Sequence, residues 1–304
     1  QAGSDNNLRA ILNYKNQWNS VASPYKTYNF SFDMALKKKK NASGFSTVGV
    51  NVFDDKAGDA GMGTFQGNLV YAYHVYLTEF STLSGGLYGA FAQRQVGTGP
   101  LQWGNQFDGM NYNAALPSGE QLNTNSFSYL DFGGGVHWKY SISERYMTGN
   151  DQRTFNAGIA IFHVNKPKYS FFGTGERLNM KEVVYGNALI GVSNTNLSVV
   201  PGFFFSKQGV ANELYLGSLL RYQLKENSKI TGFIKGSSIS GGLYYRNRDA
   251  IIADIMYEFS QYAIGVSYDI NISGLKTASN GNGGFEVSLR FVNPNPFLYS
   301  KSRY

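Results

Sequence analysis

The run Tyr262-Ala263-Ile264-Gly265-Val266-Ser267-Tyr268-Asp269-Ile270 alternates without a break between large apolar residues and small or polar ones. A period of two is the signature of a β-strand, because successive side chains leave a strand on opposite faces. Here one face is wholly apolar and the other small or polar. The pattern returns at Phe285, Val287, Leu289 and Phe291, which alternate with Glu286, Ser288 and Arg290. A chain built from such strands must put one face against oil and the other against water.

The alternation divides the chain into about fourteen strands, at 8–18, 27–36, 44–54, 64–77, 83–96, 126–140, 155–163, 181–192, 197–205, 212–224, 237–246, 250–259, 262–270 and 285–292. Clusters of Gly, Asn, Ser and Asp separate them. Two architectures satisfy this pattern, a soluble β-sandwich and a membrane β-barrel. Several segments reach 12 to 15 residues, enough to cross a bilayer at a tilt and longer than the ~5–6 usual in soluble sheets. Aromatic pairs also gather towards strand ends, as at Tyr14 and Trp18, Tyr71 and Tyr73, Trp138 and Tyr140, and Tyr244 and Tyr245. Amphipathic rings settle at headgroup level, so these read as interfacial girdles. The expected fold is all-β: a transmembrane antiparallel β-barrel of about 14 strands, with 1–304 as one domain and a short periplasmic tail at about 293–304.

Composition agrees. Charged residues are 15% of the chain, against ~25% in soluble domains, while Tyr and Phe number 22 each. The mean hydropathy of −0.29 is no objection, because a barrel strand commits only alternate residues to lipid. The net charge of +7 is spread over the whole chain rather than gathered in one patch, so no nucleic-acid partner is expected. There is no Cys, which excludes disulfides and thiolate metal sites. In a closed barrel with both termini periplasmic, connections after even strands are short turns and those after odd strands are outer loops. The tight links at 80–82, 193–195 and 260–261 and the long ones at 97–125, 164–180 and 271–284 fit, whereas 141–154 and 225–236 are long for turns.

Candidate chemistry is sparse. His74 and His137 fall on lumen-facing positions and His163 at a strand end, with no His-x-His or His-x3-His spacing for a metal. No Gly-x-Ser-x-Gly elbow occurs. The segment 54–59 has the acidity of a calcium loop but lacks the alternating ligand spacing and the distal Glu, so its carboxylates are expected to hydrogen-bond the loop or pair with Lys15 or Arg246. Lys37, Lys38, Lys39 and Lys40 fall in a periplasmic turn, as a solvated face or a contact for an acidic partner. Charges of both signs on inward positions, among them Arg9, Asp33, Arg221, Glu258 and Arg290, suggest salt bridges inside a filled lumen. Trp103, Phe107, Tyr112 and Leu116 give the loop at 97–125 the apolar content to plug the barrel or to bind a partner.

One set of blocks is more specific. Asn13-Tyr14-Lys15-Asn16-Gln17-Trp18 is followed by Pro24-Tyr25-Lys26-Thr27-Tyr28 up to Asp33, then by 49–59, by Tyr71-Ala72-Tyr73-His74-Val75 and by Leu83-Ser84-Gly85-Gly86-Leu87. Further blocks are Trp103-Gly104-Asn105-Gln106-Phe107-Asp108, His163 to Pro167 with Ser170 and Phe171, Tyr245-Arg246-Asn247-Arg248-Asp249-Ala250, and Ser267-Tyr268-Asp269. In this order they resemble the PorP/SprF family of outer-membrane proteins tied to the type IX secretion system of Bacteroidota. The family's opening Asn-Pro-Ala-aromatic-Ala-Gly element is reduced here to Gln1-Ala2-Gly3. The resemblance implies a non-enzymatic barrel without cofactor, resident in the outer-membrane lipid. Its implied task is to dock or anchor secreted adhesins through their type B C-terminal domain, or to support their secretion. Implied partners are that domain, other secretion components and a periplasmic peptidoglycan-binding lipoprotein. The expected partner-binding residues are Asn16, Gln17, Trp18, Asp54, Asp55, Lys56, Asp59, Trp103, Phe107, Tyr169, Phe171, Arg246, Arg248 and Asp249. A passive porin or a surface hydrolase using one of the histidines are the alternative readings.

Overall fold

The computed structural model describes residues 6–18, 24–36, 43–58, 60–97, 102–119, 124–142, 150–173, 175–225, 236–274 and 281–294. Fourteen strands follow one another: β1 (Asn6–Gln17), β2 (Tyr25–Leu36), β3 (Gly44–Ala57), β4 (Met62–Tyr76), β5 (Ser81–Gln95), β6 (Ser126–Ile142), β7 (Arg153–Phe162), β8 (Lys181–Gly191), β9 (Leu197–Gln208), β10 (Ala211–Lys225), β11 (Ser237–Arg246), β12 (Ala250–Phe259), β13 (Tyr262–Asn271) and β14 (Asn282–Pro294). Each pairs antiparallel with its chain neighbours, and β1 pairs with β14 from Asn6↔Pro294 to Gln17↔Gly284, so the sheet closes on itself. No strand has a free edge, the condition for placing a sheet in hydrocarbon, where nothing else satisfies the backbone.

The two faces are opposite in character to those of a soluble β-protein. On β13, Tyr262, Ile264, Val266, Tyr268 and Ile270 are 42–54% exposed on the outside, while Ala263, Asp269 and Asn271 are at most 4% exposed on the inside. The same holds around the wall: Leu12, Leu69, Leu87, Leu220, Leu243 and Ile255 form an exposed aliphatic band. Rings flank this band at both ends. Near the turns after even strands lie Tyr73, Trp138, Tyr222, Tyr257 and Tyr262; at the other end lie Tyr28, Tyr245 and Tyr268. An apolar belt of this extent has no place in water, and its aromatic borders match the two interfaces of a bilayer.

Packing within the wall depends on glycines facing rings. Tyr88 stands directly across from Gly133, Tyr185 from Gly158, and Tyr244 from Gly217. In each case a methyl group on the glycine would collide with the ring; at Gly158 it would lie 2.6 Å from Tyr185 Cε1. The rings lie down over their glycines, covering bare backbone and filling the lumen wall. Pro201 marks a local gap. It lies within β9, where the pairing between β8 and β9 skips from Asn187↔Gly202 to Ile190↔Val199, because proline has no N–H to give the ladder.

Charged side chains line the lumen as a set of wall-hugging ion pairs. Arg9 pairs with Asp33 at 2.7 Å across β1 and β2, and Lys15 lies 3.8 Å from Asp269 and 3.9 Å from Glu286. Glu258 on β12 takes Arg221 from β10 at 2.9 Å and Arg290 from β14, with the Ser238 hydroxyl donating from β11 between them. An amide ladder, Gln66→Asn68→Asn51→Asn29, runs in the same way across β4, β3 and β2. The sequence suggested pairing between facing walls; instead the pairs join adjacent or next-nearest strands. They fasten the sheet without spanning the interior.

Three further details differ from the sequence reading. The strand β3 continues to Ala57, so Asp54, Asp55 and Lys56 belong to a strand and not to a loop. Strand β14 includes Asn293 and Pro294, which pair with Leu8 and Asn6; residues 295–304, where the expected tail falls, like Lys37, Lys38, Lys39 and Lys40, lie outside the described residues. The β6–β7 connection, long for a turn, carries Asn150, whose Nδ2 donates to the carbonyls of Thr195 and Leu197 at 2.8 and 2.6 Å and braces the β8–β9 turn.

Replacing Gly158 by Val should therefore cost about 1–3 kcal/mol through overpacking against Tyr185, read as a lower urea midpoint for unfolding from lipid vesicles. Exchange of Glu258 for Gln should lose about 1–2 kcal/mol, since both guanidinium groups keep partial water access. Restoring the cluster's original net charge with Arg221→Gln in the same chain should recover part of that loss.

Candidate functional site

The longest described connections, 96–125 and 163–180, leave the barrel at the end reached by odd-numbered strands, and the candidate residues gather at the same end. They form separate groups with different work to do.

The first group anchors the rim. Arg246, 8% exposed, ends β11 and bonds Asp249 in the following turn and Asp269 on β13 at 3.0 Å, with its guanidinium 5.7 Å from the Tyr215 ring. Asp249 also accepts from Ser273 Oγ at 3.3 Å, and its carbonyl takes the N–H of Ile272 at 2.8 Å. The Arg246–Asp249 motif is thus a latch tying the β11–β12 turn to the end of β13. Arg248 is the exposed member; its left-handed backbone, φ 61°, is steadied by its N–H bond to the Tyr245 hydroxyl at 3.1 Å. Trp18, also left-handed at φ 56°, donates its N–H to Gly283 and packs edge-on against Tyr25 at 4.8 Å. Asn16 is buried beside it, and Gln17 pairs with Tyr25 and Gly284.

Strand parity sends the acidic segment to two faces. Asp55 points into the lumen and accepts from Thr27 Oγ1 at 2.6 Å, whereas Asp54 and Lys56 point outwards. Carboxylates on opposite faces cannot converge on a calcium ion. The expected pairing with Lys15 or Arg246 is also replaced: both cations are taken by Asp269, together with Glu286 and Asp249. Asp59 lies outside the described residues.

The third group packs on the inner wall at the rim. Tyr169 and Phe171, from the β7–β8 connection, fold over the inward-facing Phe127 and Tyr129 with ring centroids 4.8–5.8 Å apart. The Arg94 guanidinium sits 4.9 Å over the Tyr169 ring. At the base of this connection His163, with φ 58°, bonds Asp131 at 2.8 Å, and Tyr88 donates to the same carboxylate oxygen at 2.6 Å. This ring cluster on the inner wall comes from the β7–β8 connection. Arg94 was expected as a lumen charge, but Phe127 and Tyr129 were missed; the readable signal was aromatic residues on lumen-facing positions next to Asp131.

The longer connection is built on itself instead. Buried Gln106 donates to the Leu116 carbonyl at 3.0 Å and accepts from the Tyr112 hydroxyl at 3.3 Å, while Phe107 and Tyr112 form a β-bridge. Asp108 accepts the N–H groups of Asn111 and Met110 at 2.8 and 2.9 Å, which holds its carboxyl below the usual carboxylate range. This scaffold leaves Phe107 57% and Met110 86% exposed, with Trp103 half-buried beneath.

All three histidines line one luminal cavity of about 610 Å³, yet each has its own partners. His74 stacks on Phe45 at 4.5 Å and bonds Ser84 and Thr47 at 2.6 and 3.1 Å; His137 bonds the Tyr185 hydroxyl at 3.0 Å. Among the described residues, Ser84 and His74 come nearest to a nucleophile and base. On the far side of that ring stands the Thr47 hydroxyl rather than a carboxylate, and Phe45 lies flat against it.

Comparison with known proteins adds the family. No curated protein matches the sequence. Solved structures with some likeness include CdiB from Acinetobacter baumannii, at 7% identity and a TM-score of 0.45, covering 94% of this chain and 60% of that one. They also include BamA from Haemophilus ducreyi lacking POTRA domains 1-3, at 10% identity and a TM-score of 0.44, covering 94% and 70%. The translocator domain of the autotransporter NalP from Neisseria meningitidis matches at 9% identity and a TM-score of 0.35, covering 96% and 89%. This chain thus spans about three fifths of the CdiB chain it matches. The family described as type IX secretion system membrane protein PorP/SprF matches residues 1–291. With that match over a closed, lipid-facing barrel, the chain belongs to the PorP/SprF family of type IX secretion system proteins and resides in the outer membrane.

Proposed function

We propose that this barrel is a non-enzymatic docking component, which holds a secreted surface protein by its C-terminal domain at the loop-bearing rim. The observation that carries the reading is the 102–119 loop. Gln106 and Asp108 hold it from within, and Phe107 and Met110 are left 57% and 86% exposed. Preordered apolar side chains of this kind lose little entropy on binding and suit the centre of a protein interface. Arg248 adds an exposed cation at the same end. The latch at Arg246 and the ring cluster at Tyr169 and Phe171 serve this surface indirectly, by fixing the rim. On this reading other secretion components and a periplasmic peptidoglycan-binding lipoprotein meet the opposite end.

The test is affinity capture from outer membranes in mild detergent, followed by mass spectrometry, with the unaltered chain and a Phe107→Ser, Met110→Ser variant. The unaltered chain should bring down a secreted surface protein and further secretion components. The variant should lose at least about tenfold of the surface protein, consistent with ~1–2 kcal/mol per interfacial side chain, while keeping the slow gel migration change on heating of a folded barrel. Capture of the surface protein by both chains alike, or by neither, would remove the docking proposal.

A further inference from the structure

Outward-facing residues of β14, β1, β2, β3 and β4 fall into rows across the sheet, and the rows change character with depth. One row reads Leu289, Leu12, Phe30, Val52 and Gly67, fully apolar. The next towards the rim reads Val287, Tyr14, Tyr28, Asp54 and Phe65, and the rings of Tyr14 and Tyr28 lie 5.1 Å apart. The outermost row reads Phe285, Asn16, Lys26, Lys56 and Gly63. Hydrocarbon, aromatic interface and headgroup level follow one another along these strands.

Lys26 and Lys56 stand directly opposite each other in that outermost row, both exposed on the lipid-facing side. Their chain neighbours Thr27 and Asp55 face inwards and bond each other, which fixes the parity of both lysines. Like charges directly across a strand pair repel, and neither lysine makes an ion pair with a described residue. Asp54, one row deeper, is their nearest carboxylate in the register, leaving the face with a net positive charge. Long ammonium stems beside interfacial tyrosines reach towards the headgroups.

We propose that Lys26 and Lys56 form a binding site for the phosphate of a membrane-lipid headgroup, seated between the two ammonium groups and over Tyr28. The phosphate turns the repulsion into two charge-assisted contacts. It also ties a particular lipid to the strands that flank the β1–β14 closure. The site depends on the lipid-facing wall and is independent of the docking proposal.

The full chain is purified in nanodiscs of phosphatidylcholine alone or with phosphatidylglycerol or phosphorylated lipid A, beside a Lys26→Gln, Lys56→Gln variant. Native mass spectrometry should show a retained anionic lipid on the unaltered chain and at least about a tenfold loss of it on the variant. Unfolding should show a reversal: in phosphatidylcholine the variant is as stable as the unaltered chain or more so, and with phosphorylated lipid the unaltered chain gains and the variant does not. Equal lipid retention, or an equal gain in both chains, would overturn the proposal. Stabilisation by inorganic phosphate alone to the same extent would overturn the assignment to lipid.

Discussion

Closure of the sheet between β1 and β14 is the constraint on which everything else rests. A backbone in hydrocarbon has no water to bond, so every N–H and C=O in the wall needs a neighbouring strand. The pairing from Asn6↔Pro294 to Gln17↔Gly284 provides it for the first and last strands, and the remaining strands follow by simple hairpins. Once the ring is closed, side-chain alternation assigns every residue either to lipid or to the lumen. The exposed apolar belt and the buried polar interior are two consequences of one topology.

Inside the ring the wall is held by contacts that stay within a few strands. Tyrosines lie over facing glycines, amides form a ladder, and Glu258 gathers two guanidinium groups from either side. Such contacts stiffen a sheet without filling its centre. At the rim Tyr169 and Phe171 likewise rest on Phe127 and Tyr129, on the wall beside their own connection. The 102–119 loop keeps Phe107 and Met110 exposed.

Strand number and facing were legible in the sequence because period-two alternation is a local property. Residues 262–270 declare themselves without reference to any other strand, and they form β13 as read. Segment ends were less legible where polar residues continue a strand, as at Asp54, Asp55 and Lys56, since a rim position tolerates charge on either face. Which connection packs its rings on the inner wall was not legible. Both long connections carry aromatics, and only the three-dimensional position of Phe127 and Tyr129 decides which one packs against them. The latch was half legible: Arg246, Asp249 and Asp269 were all singled out, but the pairing of Arg246 with the sequence-remote Asp269 was not.

The account stands on the claim that alternate residues of these strands touch lipid. The chain has no native cysteine, so single cysteines at each position from 262 to 270 can carry a nitroxide label without background. In lipid bilayers, accessibility to oxygen should peak at 262, 264, 266, 268 and 270, and accessibility to a water-soluble nickel chelate at 263, 265, 267 and 269. A profile without that two-residue period, or one with the nickel reagent reaching Ile264 and Val266 as readily as their neighbours, would contradict the barrel described here.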